Sequence, residues 1–304
     1  MKEINIIYTH QNSTEIKFQN EQGIVYQSNQ RDPNKINVFT SSRASCEPED
    51  SVIVLEPIVV DIFDYDTDNL KRFKYIFGFA EQAYTELGDK FIKINYPADF
   101  SKSWKSITQY SKSFHQRSNT VVIIANLKQP QHQSSIYGLR LRLADFLYAN
   151  NIHVKWYGHN SLDRPYYKGP IEGDWAQSKL EILCNSKFTI CSENIYDPIY
   201  SENYLTEKMP HAWFASCVPI YMGCHNIDDF GFSPNMYIDL RKYIKIFDKD
   251  NFEISKSLLN VIQNYTDSDY QTYLSELMIN INSNNSFTNI TSLENVCKKM
   301  IEVL

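Results

Sequence analysis

The sequence predicts an α/β protein of two Rossmann-like domains facing a cleft, with a helical C-terminus. Three observations carry this. Strand-like apolar runs alternate with helix-like stretches along the chain, the pattern of parallel sheets joined by crossovers. The 304 residues suit two ordinary domains at about 150 residues each. Apolar residues make up 42% and charged residues 22%, which is enough to build two cores and too apolar for disorder.

In the first half, residues 4–8, 36–40, 51–55, 75–78 and 91–94 read as strands, and 79–88 as a short helix or turn. Residues 101–119 are polar and rich in Ser and Lys, and form the natural connection between domains. The second half is cleaner. Residues 121–125 read as a strand. Residues 136–149 read as a helix, with Leu139, Leu143, Phe146 and Leu147 at helical spacing. Strands are expected at 153–157, 188–191, 218–222 and 236–240, a helix ends over 179–184, and another runs over 206–216. The C-terminal third reads as helical. One apolar stripe runs through Phe252, Ile254, Leu258, Leu259 and Ile262, and another through Tyr270, Tyr273, Leu274, Leu277 and Met278. The Asn-rich stretch 280–289 reads as a surface loop. The expected division is 1–117 for the first domain, 118–265 for the second domain, and 266–304 for C-terminal helices, whose packing against the first domain is left open.

Composition excludes several classes. The net charge of −6 argues against a chain whose main work is binding nucleic acid, which needs a basic excess. The longest apolar run, 52–60, is broken by Glu56 and Pro57, far short of the ~20 residues that span a bilayer. The N-terminus has no long apolar segment, so a cytoplasmic location is expected. Association with the inner membrane surface is left open, and so is oligomeric state. The C-terminal helices carry lysines but no strong basic stripe. The six cysteines contain no CxxC, and most sit in or beside apolar runs, as reduced thiols do. No histidine spacing suits zinc, so no metal site is expected. GxGxxG, Walker and GxSxG motifs are absent. The DYDTDN string at 64–69 resembles the opening of a calcium loop, but has Asn69 where such a loop needs Gly and Tyr75 where it needs Glu. Its DxD, Asp64 and Asp66, reads as a solvated acidic turn. The alternative is a metal–diphosphate site of the GT-A type.

Residues 187–223 carry the most information. A buried strand at 188–191 delivers Glu193 and Asn194 at its C-terminal end, where parallel sheets bind ligands. A polar, aromatic loop follows, and Thr206 stands as an N-cap with Glu207 and Lys208 in the first helical turn. Unpaired N–H groups at a helix start, together with the Lys208 ammonium, would suit a diphosphate without any glycine loop.

The string Glu193, Asn194, Tyr204, Leu205, Thr206, Glu207, Lys208, Ala212, Val218, Pro219, Ile220 and Gly223 resembles the family 10 glycosyltransferases, the α1,3/α1,4-fucosyltransferases. The stretch 135–147 is similar to the segment where that family places an arginine near a helix start. Arg140 fits best, and Arg142 competes. The stretch 51–57 is similar to the strand end that carries the family's catalytic carboxylate, here Glu56. The resemblance implies a GT-B fold and inverting transfer of L-fucose from GDP-fucose, with no metal cofactor required. The acceptor would be a sugar hydroxyl of an oligosaccharide or surface polysaccharide, on an N-acetylglucosamine or glucose unit. By the same resemblance Glu56 is the base, and Arg140, Lys208 and the turn at Thr206 stabilise the leaving diphosphate. Glu207 and Tyr204 position the nucleoside, while Glu193 and Asn194 line the donor pocket. The chain departs from the family at Ser192, where an aromatic is usual, and in a longer loop, 195–203. Another nucleotide-sugar donor and an inactive nucleotide- or glycan-binding module stand as alternatives.

Overall fold

A computed structural model describes residues 1–8, 15–97, 112–159, 162–283, 287 and 292–304. The first sheet contains β1 (Lys2–Ile7), β2 (Glu15–Gln19), β3 (Gly23–Ser28), β4 (Ile36–Phe39), β5 (Ser51–Ile53), β6 (Ile76–Gly78) and β7 (Phe91–Lys93). Its spatial order is β2-β3-β1-β4-β5-β6-β7. Only the β2–β3 pair is antiparallel. The parallel strands are short and apolar because both faces are covered. On one face Ile4, Ile6, Val25, Val38 and Ile53 are buried. On the other Val52, Val54, Phe73, Ile76 and Phe79 are buried, next to the short helix α1 (Thr67–Leu70).

The second sheet contains β8 (Ser118–Ile124), β9 (His153–Tyr157), β10 (Ser186–Ser192), β11 (Val218–Met222) and β12 (Ile238–Asp239), in the order β12-β11-β10-β8-β9. All of its strands are parallel. Helices α2 (Tyr137–Ala149), α3 (Trp175–Cys184) and α4 (Lys208–Phe214) cross between them. In α2, Leu139, Leu143, Ala144 and Leu147 have no exposed surface, as their helical spacing predicts. The strand order reverses between β8 and β10, which opens a crevice at the carboxyl ends of the strands.

The two sheets are joined through residues 195–204. The Tyr204 ring packs 4.8 Å from that of Phe79, and Tyr200 meets Tyr65 edge-on at 5.6 Å. The Asn203 amide donates to the Phe79 carbonyl at 3.1 Å. Ile195, Tyr204 and Tyr137 are therefore part of the apolar cluster on the first sheet.

The C-terminal region differs from the all-helical expectation. Residues 244–254 form a hairpin, β13 (Ile244–Asp248) and β14 (Asn251–Ile254). Phe252 and Ile254 therefore belong to a strand and not to a helical stripe. They stand opposite Ile246 and Ile244, while Lys245 faces Glu253, so the apolar period is two. The Asp248 carboxylate accepts the Asp250 N–H and closes the turn. Helices α5 (Ser257–Gln263) and α6 (Asp267–Ile281) follow. Helix α6 packs on the second core. Its Tyr270 and Tyr273 hydroxyls donate to the Ser216 and Cys217 carbonyls at 2.9 and 3.1 Å. The last helix, α7 (Leu293–Val303), returns to the first sheet, where Val296, Cys297, Met300 and Ile301 are buried.

Other differences are local. The β2–β3 hairpin has no counterpart in the sequence reading. The 81–90 segment is a kinked 3-10 run, and the 236–240 strand shrinks to Ile238–Asp239. Within the expected surface loop, Asn280 still belongs to α6, and its side-chain oxygen accepts the N–H of the buried Phe287. Residues 101–111 of the expected connection lie outside the described residues.

Candidate active site

A cavity of about 270 Å³ occupies the crevice where the second sheet reverses its strand order. Ile124, Ala125, Asn126 and Lys128 reach it from the end of β8, Tyr157, Gly158 and His159 from the end of β9, and Asn194 from the end of β10. Tyr137 and Arg140 of α2, Trp175 of α3, Glu207, Lys208 and Ile171 complete its wall. Gly158 lets two strand ends meet, because a Cβ there would stand 2.4 Å from the Ala125 carbonyl oxygen.

A chain of charges lies behind this wall. The Glu193 side chain is fully buried and accepts from the Thr206 N–H at 3.0 Å, from the Thr206 hydroxyl at 2.8 Å and from the Lys208 ammonium at 2.7 Å. Arg140 is 3% exposed. Its Nη2 donates to the Ser192 carbonyl at 2.8 Å, the Glu193 carbonyl at 2.7 Å and the Asn194 side-chain oxygen at 2.9 Å. The guanidinium thereby shapes the strand end and remains a cation, although burial lowers its pKa. Burial opposes the charge of Glu207, but Lys208 and Lys179 outweigh it and hold the carboxyl down to about 2. Lys208 is raised: burial works against it, and Glu193 and Glu207 prevail. The Lys179 ammonium sits 4.6 Å from the centroid of the Trp175 ring, which is itself part of the cavity wall.

Glu56 stands three residues beyond β5, on the first sheet's side of the molecule. The residue is exposed at its surface, yet desolvation by the surrounding protein raises the pKa of its carboxyl. Lys128 and then Lys208 pull it back, while Glu207 and Asp61 push it up. Glu56 is thus in electrostatic contact with three residues of the cavity wall, Lys128, Lys208 and Glu207.

No family model matches the chain. Among solved structures, it is similar to an α1,3-fucosyltransferase with GDP, at 13% identity and a TM-score of 0.53, over 99% of this chain and 90% of that one. An α-glucosyltransferase in complex with UDP aligns at 11% identity and a TM-score of 0.56, over 88% of this chain and 80% of that one. A UDP-forming α,α-trehalose-phosphate synthase from Burkholderia xenovorans aligns at 8% identity and a TM-score of 0.56, over 90% of this chain and 75% of that one. The chain has the GT-B fold.

In this GT-B framework, Arg140, Asn194, Glu207 and Lys208 line one cavity. Arg142 points elsewhere and reaches the Asp250 carbonyl on the surface, which separates it from Arg140. Three expectations are corrected. Glu193 does not line this cavity, because its carboxylate is wholly buried as the counter-ion of Lys208. Thr206 is not the N-cap of α4. Its hydroxyl and N–H are both spent on Glu193, which would otherwise be a buried charge with the Lys208 ammonium as its one donor among the described residues, and Glu207 takes the cap position. Tyr204 does not line this cavity. Its ring is 2% exposed between Phe79 and Tyr96, and its hydroxyl accepts from the Asn194 amide at 3.3 Å. The DxD carboxylates serve local structure. Asp64 is buried and accepts the Ser42 N–H, and Asp66 caps α1. Among the described residues, no group of three His, Cys, Asp or Glu side chains is placed to hold a metal ion. Sequence reasoning missed Lys128, Tyr157, His159 and Trp175. The available signal was their position just beyond, or one crossover after, the strand ends at 124 and 157.

Proposed function

We propose that the chain is an inverting glycosyltransferase that moves L-fucose from GDP-fucose to a hydroxyl of a glycan. The observation that carries this reading is a cation-lined cavity of about 270 Å³ at the strand reversal whose Lys128, Lys208 and Glu207 are within electrostatic reach of Glu56, a carboxylate with a raised pKa. Glu56 accepts the proton of the acceptor hydroxyl as the new C1–O bond forms. The bond from C1 to the β-phosphate oxygen breaks, and its electron pair stays on GDP. The diphosphate gains one negative charge, which the Arg140 and Lys208 side of the cavity stabilises. Glu207, its carboxyl held down to about 2, is set to accept from ribose hydroxyls, and the Trp175 ring on the cavity wall is set to stack on the base. The similarity to a fucosyltransferase that holds GDP supports the donor assignment.

The decisive experiment is a screen of sugar nucleotides against a mixed glycan panel, read by product mass in chelator. Transfer from GDP-fucose supports the reading. Transfer only from another sugar nucleotide replaces the donor, and activity only with added metal removes the charge-stabilisation argument. Glu56→Gln should abolish turnover and leave GDP binding intact. Retained turnover would remove Glu56 as the base.

A further inference from the structure

Three cations line the cavity, and two of them are already engaged. Nη2 of Arg140 serves three oxygens of the strand end at 192–194. The Lys208 ammonium serves Glu193 and Thr206, with 19% of the side chain exposed. Lys128 differs. It is exposed, it stands on the segment that leaves β8 at the strand reversal, and among the described residues its ammonium has neither a hydrogen bond nor an ion pair. A cation held at a cavity wall by no carboxylate keeps all three of its donors for a ligand.

Resting on the proposed function, we infer that Lys128 is a further catalytic residue, whose ammonium on the cavity wall binds the departing diphosphate. No motif assigns it a role. Its chemistry serves both halves of the transfer. As the C1–O bond breaks, the extra charge on the β-phosphate oxygen meets an ammonium with free donors. The acceptor proton passes to Glu56, and the nearby positive charge keeps Glu56 ionised and ready to take it. Among the charged groups within electrostatic reach of Glu56, Lys128 is the foremost opposing charge. Lys208 acts in the same sense, and Glu207 and Asp61 act against both. Asp64, Tyr96, Tyr137 and Tyr204 also feel the Glu56 charge. Asp61 is partly neutralised by Arg43, whose Nη2 lies 2.8 Å away. Removing Lys128 therefore leaves Glu56 with a weaker positive neighbourhood and a higher pKa.

The test compares wild type, Lys128→Met and Lys128→Arg for GDP affinity by calorimetry and for kcat and kcat/KM against pH with GDP-fucose. Lys128→Met should weaken GDP binding and lower kcat by ~10- to 100-fold. The acidic limb of its rate profile should move to higher pH, and Lys128→Arg should restore most of both. An unchanged melting temperature in Lys128→Met shows that the exposed side chain does not hold the fold. Wild-type GDP affinity, kcat and acidic limb in Lys128→Met overturn the inference and leave the proposed function standing. Failure of the wild type to bind GDP overturns the proposed donor and the inference with it.

Discussion

At the scale of the residue, Glu193 shows how a buried charge organises a functional surface without touching it. Its carboxylate gathers the Thr206 N–H and hydroxyl and the Lys208 ammonium, and so fixes where Lys208 meets the cavity. Removing one partner strands the other, which costs about 3–5 kcal/mol for a buried pair. Lys208→Ala is therefore expected to lose that much stability along with GDP binding. Glu193→Gln/Lys208→Met together should recover part of the stability and none of the binding. Denaturant titration of the two single variants and the double variant measures the difference. Gly223 belongs to the same unit, because a Cβ there would lie 2.2 Å from the Glu193 Cγ. Gly223→Ala should push the carboxylate off Thr206, lower the melting temperature and weaken GDP binding, read by thermal shift with and without nucleotide. The motif on which the resemblance rests was legible residue by residue. The division of labour within it was not, because burial of a side chain depends on what packs over it.

Among the elements, helix α2, helix α6 and the strands β9 and β11 were plain in the sequence because their apolar periods are long or uninterrupted. The hairpin β13–β14 was not. Phe252 and Ile254 sit at a spacing of two, next to a helix whose apolar residues continue the same count, and a single stripe drawn through both crosses the boundary at Ser255. The turn between β5 and β6 offers a pH test. Burial raises the Asp64 carboxyl from 3.8 to about 6, although the Ser42 hydrogen bonds oppose it. The unfolded chain then ionises at lower pH than the folded one, so stability falls as pH rises from about 4 to 6 and is level above that. Asp64→Asn removes this loss while keeping an acceptor for the Ser42 N–H. Its stability relative to wild type should grow through that window to at most ~3 kcal/mol. Chemical denaturation at pH 4, 5, 6 and 7 checks this, and a difference that is flat with pH would contradict it.

For the whole molecule, the cleft depends on how the two sheets are held together. Residues 195–204 leave the second sheet and bury Ile195 and Tyr204 in the cluster on the first. Tyr204 lies between Phe79 and Tyr96 and also positions Asn194, so one side chain links the sheet contact to the cavity wall. Tyr204→Ala should cost about 3–5 kcal/mol, the usual effect of removing a large buried aromatic. It should also separate one cooperative unfolding transition into two, followed by calorimetry. A single transition at an unchanged temperature would show that the sheets are joined elsewhere.

The sequence by itself determined the α/β class, the places of most parallel strands and the 193–223 motif, because these rest on local periodicity and on residues adjacent in the chain. Only the tertiary structure decided which charged groups share the cavity, which of them are spent on one another, and that Glu56 and Lys128, 72 positions apart in the chain, come within electrostatic reach of each other. The physical reason is that hydrogen bonding, desolvation and Coulomb interaction depend on distance in space, and the sheet order that sets those distances is fixed by long-range packing.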